Sequence, residues 1–333
     1  MTTRPRLPGD SNSVFAAHKG DGIEPYATGM LETGDGHSVY WECVGNPAGA
    51  PVVYLHGGPG SGCTPGQRKL FDPAIHRAVL FDQRGSGRSR PLASQAGADL
   101  ATNTTHHLLA DIEALREMLE IDTWTVLAMS WGTTLGLAYA QRHPERISGL
   151  VLALVTTTSR REVEWITEGV GPIFPAEWHR FSSAVPEELR DRRLVDAYAA
   201  MLSDPDPEAQ RRAALEWCAW EDAHVSLDPG FAPNSRFEDP EFRLRFARLV
   251  THYWSNAAFL DDEQLIRDAA TLNGIPGSLI HGRYDVSSPL ETPWRLSRAW
   301  TTSELHVLGN AGHGGGEPML ALVGEALERF ARH

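Results

Sequence analysis

The chain has 333 residues, with 43 acidic side chains against 30 Lys plus Arg and a formal charge of −13. Apolar residues make up 41% and charged residues 22%. That is too apolar for a disordered chain, and the length suits one large domain or a core carrying an insertion. The acidity argues against nucleic acid and anionic membranes as partners, because both call for clustered Lys and Arg.

Taken in chain order, residues 1–13 are polar and lack the apolar stretch of a signal peptide, and no run long enough to span a bilayer follows. A soluble, cytoplasmic protein is the expectation. Unbroken apolar runs at 52–55, 78–81, 124–129 and 150–155 predict strands buried on both faces of a parallel sheet. Between them, Leu108, Ile112, Leu115 and Leu119 recur at helical spacing behind the cap-like Asn103-Thr104-Thr105, and residues 130–142 predict a second helix stopped by Pro144. From 158 to 259 the strand pattern stops. Trp165, Trp178, Trp217, Trp220 and Trp254 fall in that stretch, which Pro205, Pro207 and Asp228-Pro229-Gly230 divide into helical pieces. Strand-like runs return at 278–281 and 305–308. A final amphipathic helix opens near Pro318 and uses Leu322, Val323, Leu327 and Phe330. The expectation is an α/β fold, a mostly parallel sheet flanked by helices. Residues 1–157 and 260–333 form its core, and 158–259 form a helical insertion.

Three signals carry chemistry. Ala128-Met129-Ser130-Trp131-Gly132 sits between a strand and a helix, where a sharp turn lifts a serine hydroxyl above the sheet. The plain alternative is a serine capping an ordinary helix. Asp285 follows the strand ending at His281, and His313 follows the strand ending at Leu308. The order Ser130, Asp285, His313 is that of the α/β-hydrolase triad. In such a triad His313 takes the serine proton, and Asp285 fixes the imidazole tautomer and stabilises its charged form. The third signal is His56-Gly57-Gly58-Pro59-Gly60 after the strand at 52–55. There a Gly58 or Gly57 N–H, with that of Trp131, would form an oxyanion hole.

With Asp82-Gln83-Arg84-Gly85-Ser86-Gly87-Arg88-Ser89, Asn103-Thr104-Thr105 and Gly282-Arg283-Tyr284-Asp285, these stretches resemble the proline iminopeptidases. These are α/β-hydrolase serine peptidases that remove an N-terminal proline. The resemblance implies an α/β-hydrolase fold, with 158–259 as the family's substrate-selecting helical cap. Trp217-Cys218-Ala219-Trp220-Glu221 resembles its W-x-x-W-E segment, which implies Glu221 as the anchor for the substrate's amine. Where the family commonly has A-R-I-E-N-H-Y-F, this chain has Ala247-Arg248-Leu249-Val250-Thr251-His252-Tyr253-Trp254, so Val250 replaces a second amine-binding glutamate. A neutral side chain there favours a less cationic substrate.

No cofactor is expected, because no dinucleotide fingerprint or phosphate loop is present. No metal is expected either, because Cys43, Cys63 and Cys218 are scattered and His106-His107 lacks further ligands at suitable spacing. The partner is then a small peptide, amide or ester, with the oligomeric state left open. Two other readings stand beside the peptidase: a related amide or ester hydrolase or acyl transferase, and a catalytically silent ligand-binding module. Epoxide hydrolases and haloalkane dehalogenases share the fold but use an aspartate nucleophile, which Ser130 disfavours.

Overall fold

A computed structural model describes residues 22–225, 227 and 231–332. The N-terminal polar stretch and the Asp228-Pro229-Gly230 breaker lie outside the described residues. Eight strands form one sheet: β1 (Ala27–Glu32), β2 (Ser38–Gly45), β3 (Ala50–Leu55), β4 (His76–Phe81), β5 (Trp124–Met129), β6 (Ile147–Ala153), β7 (Gly277–Gly282) and β8 (Ser303–Leu308). The spatial order is β1-β2-β4-β3-β5-β6-β7-β8. The β1–β2 and β2–β4 pairs are antiparallel, and every other pair is parallel.

The apolar runs form strands because both faces of the parallel region are covered. In β5, Val126 and Ala128 join one hydrophobic cluster, while Leu127 and Met129 join the other. Burying such a side chain fully stabilises by ~1.5–3 kcal/mol relative to exposure. The first cluster includes α1 (Thr105–Met118) and α2 (Trp131–Arg142). Strand β6 stops at Ala153, short of the expected Val155. Leu154 turns to φ +59, and the Val155 N–H donates to His281 Nδ1 instead of the ladder.

Between β6 and β7 the described residues are helical: α3 (Arg160–Glu164), α4 (Pro175–Ser183), α5 (Leu194–Met201), α6 (Pro207–His224), α7 (Pro240–Ser255) and α8 (Gln264–Arg267). Asp206 caps α6 by accepting from the Glu208 and Ala209 N–H groups, with Pro207 in the first turn. Asp239 and Pro240 start α7 in the same way. Aromatic rings fill the space among these helices. Phe181 stacks on Tyr198 at 4.4 Å and on Trp220 at 5.2 Å, and Trp217 meets Trp254 edge-on at 5.7 Å. Each such pair adds roughly 0.5–1.5 kcal/mol beyond its buried area. After β7 come α9 (Glu291–Ala299) and, beyond β8, α10 (Gly316–Phe330). Helix α10 buries Val323, Leu327 and Phe330 in the second cluster. Among the described residues no helix is long and apolar enough to cross a membrane.

Candidate active site

Ser130 occupies the turn between β5 and α2 with φ +56 and ψ −129. A non-glycine residue in such a conformation stores of order 1–3 kcal/mol and persists only where its surroundings fix it. Here the Ser130 N–H donates to Ala153 O at 3.0 Å, and its carbonyl accepts from Thr133 N and Thr133 Oγ1, both at 2.7 Å. Gly132 allows the turn to close: a side chain there would put Cβ 2.1 Å from Leu55 O.

The turns after β7 and β8 bring the partners in. Gly282 has no Cβ to strike Ala311 O, which would lie 2.3 Å away, and the Tyr284 N–H donates to that same carbonyl at 2.9 Å. This close seam sets Asp285 beside His313. Ser130 Oγ lies 2.9 Å from His313 Nε2, and His313 Nδ1 lies 2.8 Å from Asp285 Oδ2. The other Asp285 oxygen accepts the Ser288 N–H at 3.0 Å. Burial opposes ionisation of both groups, but their mutual attraction wins. The Asp285 carboxyl is held below its ordinary value and the His313 imidazole above its own. A base poised this way can take a hydroxyl proton and later return one.

Behind this line His281 is fully buried. Its Nδ1 accepts from Val155 N at 3.1 Å, so its Nε2–H donates to Ser288 O at 2.7 Å. Sequence reading did not single out this support, which orients the Ser288 turn against Asp285. It also missed Gln83. The Gln83 side chain donates to His56 O at 2.9 Å and accepts from Trp131 Nε1 at 3.1 Å, while its backbone N–H donates to His56 Nε2 at 3.0 Å. One residue of the Asp82-to-Ser89 loop thus ties the glycine-rich turn to the start of α2. Arg84 of that loop is buried in a two-pronged ion pair with Asp111, at 2.6 and 2.7 Å.

A small cavity of about 50 Å³ opens at Ser130, and Gly58, Trp131, His313 and Glu221 line it. Gly57 sits just behind, where a Cβ would lie 3.0 Å from Ser130 Cβ. Two carboxylates reach the cavity. Both Glu162 oxygens are engaged: Oε2 accepts from Thr156 Oγ1 at 3.0 Å, from the Thr157 N–H at 2.8 Å and from Thr157 Oγ1 at 2.9 Å, and Oε1 accepts from Thr292 Oγ1. Glu221 accepts only from Trp217 Nε1, at 3.1 Å, among the described residues. Its side chain is 13% exposed, and burial pushes its carboxyl up to about 8. Val250 is not brought to the cavity. It is fully buried among the apolar residues of α7, and Trp254, one turn further on, lines the cavity instead. Cys218 is buried between the two tryptophans, and burial pushes its thiol far up, which leaves it inert. Among the described residues no three His, Cys, Asp or Glu side chains are grouped as metal ligands.

The family model for the alpha/beta hydrolase fold matches residues 50–316. A Streptomyces coelicolor protein named "Probable proline iminopeptidase" is 48% identical over 93% of this chain and 97% of its own length. The Neisseria meningitidis proline iminopeptidase is 41% identical over 93% of this chain and 98% of its own. The crystal structure of the Mycobacterium smegmatis proline iminopeptidase superposes with a TM-score of 0.64, at 22% identity, over 92% of this chain and 99% of that one. That last likeness is one of fold.

Proposed function

The chain belongs to the α/β-hydrolase family, among the proline iminopeptidases, and from that premise we propose that it is a serine aminopeptidase releasing an N-terminal proline from small peptides. The observation that carries this reading is the unbroken line from Ser130 Oγ through the His313 ring to Asp285, with spacings of 2.9 and 2.8 Å.

Ser130 gives its proton to His313 Nε2 as Oγ attacks the carbonyl carbon. The oxyanion so formed rests on the N–H groups of Gly58 and Trp131, at the positive end of α2. One such donor is worth roughly 10²–10³ in rate. His313 then protonates the leaving nitrogen as the C–N bond breaks, and the peptide departs one residue shorter. Water enters, loses a proton to His313 and displaces the prolyl group from Ser130 as the free amino acid.

Residues 158–259 act as a cap that selects the substrate over a core of residues 1–157 and 260–333. Within it Glu221 anchors the substrate's ammonium. Glu162 has its oxygens occupied, whereas Glu221 Oε2 has room for a donor. A lone available carboxylate also supports a second reading, a related amide or ester hydrolase or acyl transferase taking less cationic substrates. A panel of a prolyl arylamide, an N-acetylprolyl arylamide and an aryl acetate separates the two. The peptidase reading predicts strong preference for the first, and indifference to the amine would sink it. Labelling of Ser130 by a fluorophosphonate excludes the silent binding module.

A further inference from the structure

Helix α6 brings a second polar group to the cavity that the mechanism above does not use. His224 lies one turn after Glu221, lines the cavity, and is 1% exposed. Its Nε2 has no hydrogen-bond partner among the described residues and lies 3.7 Å from Glu221 Oε2. A buried ring nitrogen left bare is costly unless something binds there.

The neighbours of His224 accommodate the tautomer with its proton on Nδ1. With the single Ser287 hydroxyl proton assigned to Val225 O at 3.4 Å, the Ser287 oxygen is free to accept from His224 Nδ1 at 3.3 Å. With the proton on Nδ1, Nε2 carries a lone pair into the cavity. Burial also keeps the ring neutral, pushing its pKa down to about 3. On the other side, Trp217 Nε1 occupies Glu221 Oε1 and leaves Oε2 facing His224. Once Glu221 is ionised, neither Nε2 nor Oε2 can donate to the other, and the pair presents two acceptors and one negative charge.

We infer that His224 Nε2 is a second acceptor for the substrate's terminal ammonium, working beside Glu221 Oε2. The ammonium of an N-terminal proline has two N–H donors, and this pair offers one acceptor to each. A neutral nitrogen performs this task without adding a second charge to the cavity. The substrate class follows: an unblocked amine with at least two N–H donors. The inference rests on the peptidase reading, because the amine is what the two groups hold.

The test compares His224→Leu, which removes the acceptor, with His224→Gln, whose amide oxygen falls near the position of Nε2. Prolyl 4-nitroanilide and 4-nitrophenyl acetate are the substrates, and the acetate has no amine. The expected result for His224→Leu is a KM for the prolyl substrate raised about tenfold with kcat and the acetate rate held, and recovery of most of that loss in His224→Gln. An unchanged KM in His224→Leu, or a KM in His224→Gln as high as in His224→Leu, overturns the inference and leaves the peptidase reading intact. A wild type that hydrolyses the acetate but not the prolyl substrate overturns that reading and the inference with it. Should His224→Leu lose acetate activity too, His224→Gln decides alone. A KM within about threefold of wild type supports the acceptor role, and a tenfold rise overturns it.

Discussion

Ser130 Oγ and His313 Nε2 stand 2.9 Å apart although 183 positions separate them in the chain. Four local features of the sheet make that possible. Gly132 lets α2 start against Leu55, and Ser130 accepts a left-handed backbone. Gly282 lets the last two turns pack on each other, and the parallel order of β5, β6, β7 and β8 puts all these turns at one edge.

Glu221→Gln tests the amine anchor through pH. Burial holds the Glu221 carboxyl up to about 8, so below that pH it is protonated and offers an ammonium no charge. Wild-type kcat/KM for a prolyl arylamide should therefore climb with pH toward about 8. An aryl acetate should show only the His313 limb. Above a pH of about 8, Glu221→Gln should lose roughly 10²-fold on the prolyl substrate and lack the upper limb. The acetate rate should hold while its His313 limb moves to lower pH, because the Glu221 charge that raises the His313 imidazole is gone. Identical profiles for the two substrates would count against Glu221 as the anchor.

The same substitution has a predicted effect on stability, with a definite sign. The folded-state carboxyl titrates near 8 against an ordinary 4.5, so the folded protein holds this proton more tightly than the unfolded chain does. The stability this contributes is present below 4.5 and lost as pH rises toward 8. Glu221→Gln should melt several degrees above wild type at a pH of about 9 and match it at a pH of about 4. Calorimetry at the two pH values checks this, and an equal Tm at the higher value contradicts it.

Gln83→Met should act on rate rather than binding. It removes the bonds that hold His56 O and Trp131 Nε1 while nearly keeping the volume. Both anchored stretches carry the N–H groups assigned to the oxyanion, and a misplaced donor costs about 10–100-fold in kcat. The KM of the prolyl substrate should stay near that of wild type. Steady-state kinetics decide, and a KM effect without loss of kcat would contradict the positioning role.

Val250→Ala separates packing from recognition. Val250 is fully buried and does not line the cavity, so truncation should cost about 2 kcal/mol of stability and leave the prolyl KM unchanged. Denaturant melts and kinetics on one preparation check both halves. A raised KM with full stability would put Val250 back in the binding surface.

The parallel strands were legible because burial on both faces makes them continuous apolar runs. Strands β1 and β2 gave no such run: β1 alternates half-buried and exposed residues at the sheet's edge. The meeting of Ser130, His313 and Asp285 could be read from chain order and strand ends alone. Gln83 and His224 could not, since their meaning lies in partners 48 and 63 positions away, Trp131 and Ser287. The family motif points to Val250 by position, and motif position does not say which way a helical side chain faces.

The most direct test is the release of 4-nitroaniline from prolyl 4-nitroanilide by the wild type and by Ser130→Ala at equal protein concentration. The account predicts steady turnover by the wild type and a loss of roughly 10⁴-fold or more in kcat for the variant, with the fold intact. Undiminished turnover by Ser130→Ala, or none by the wild type, would contradict it.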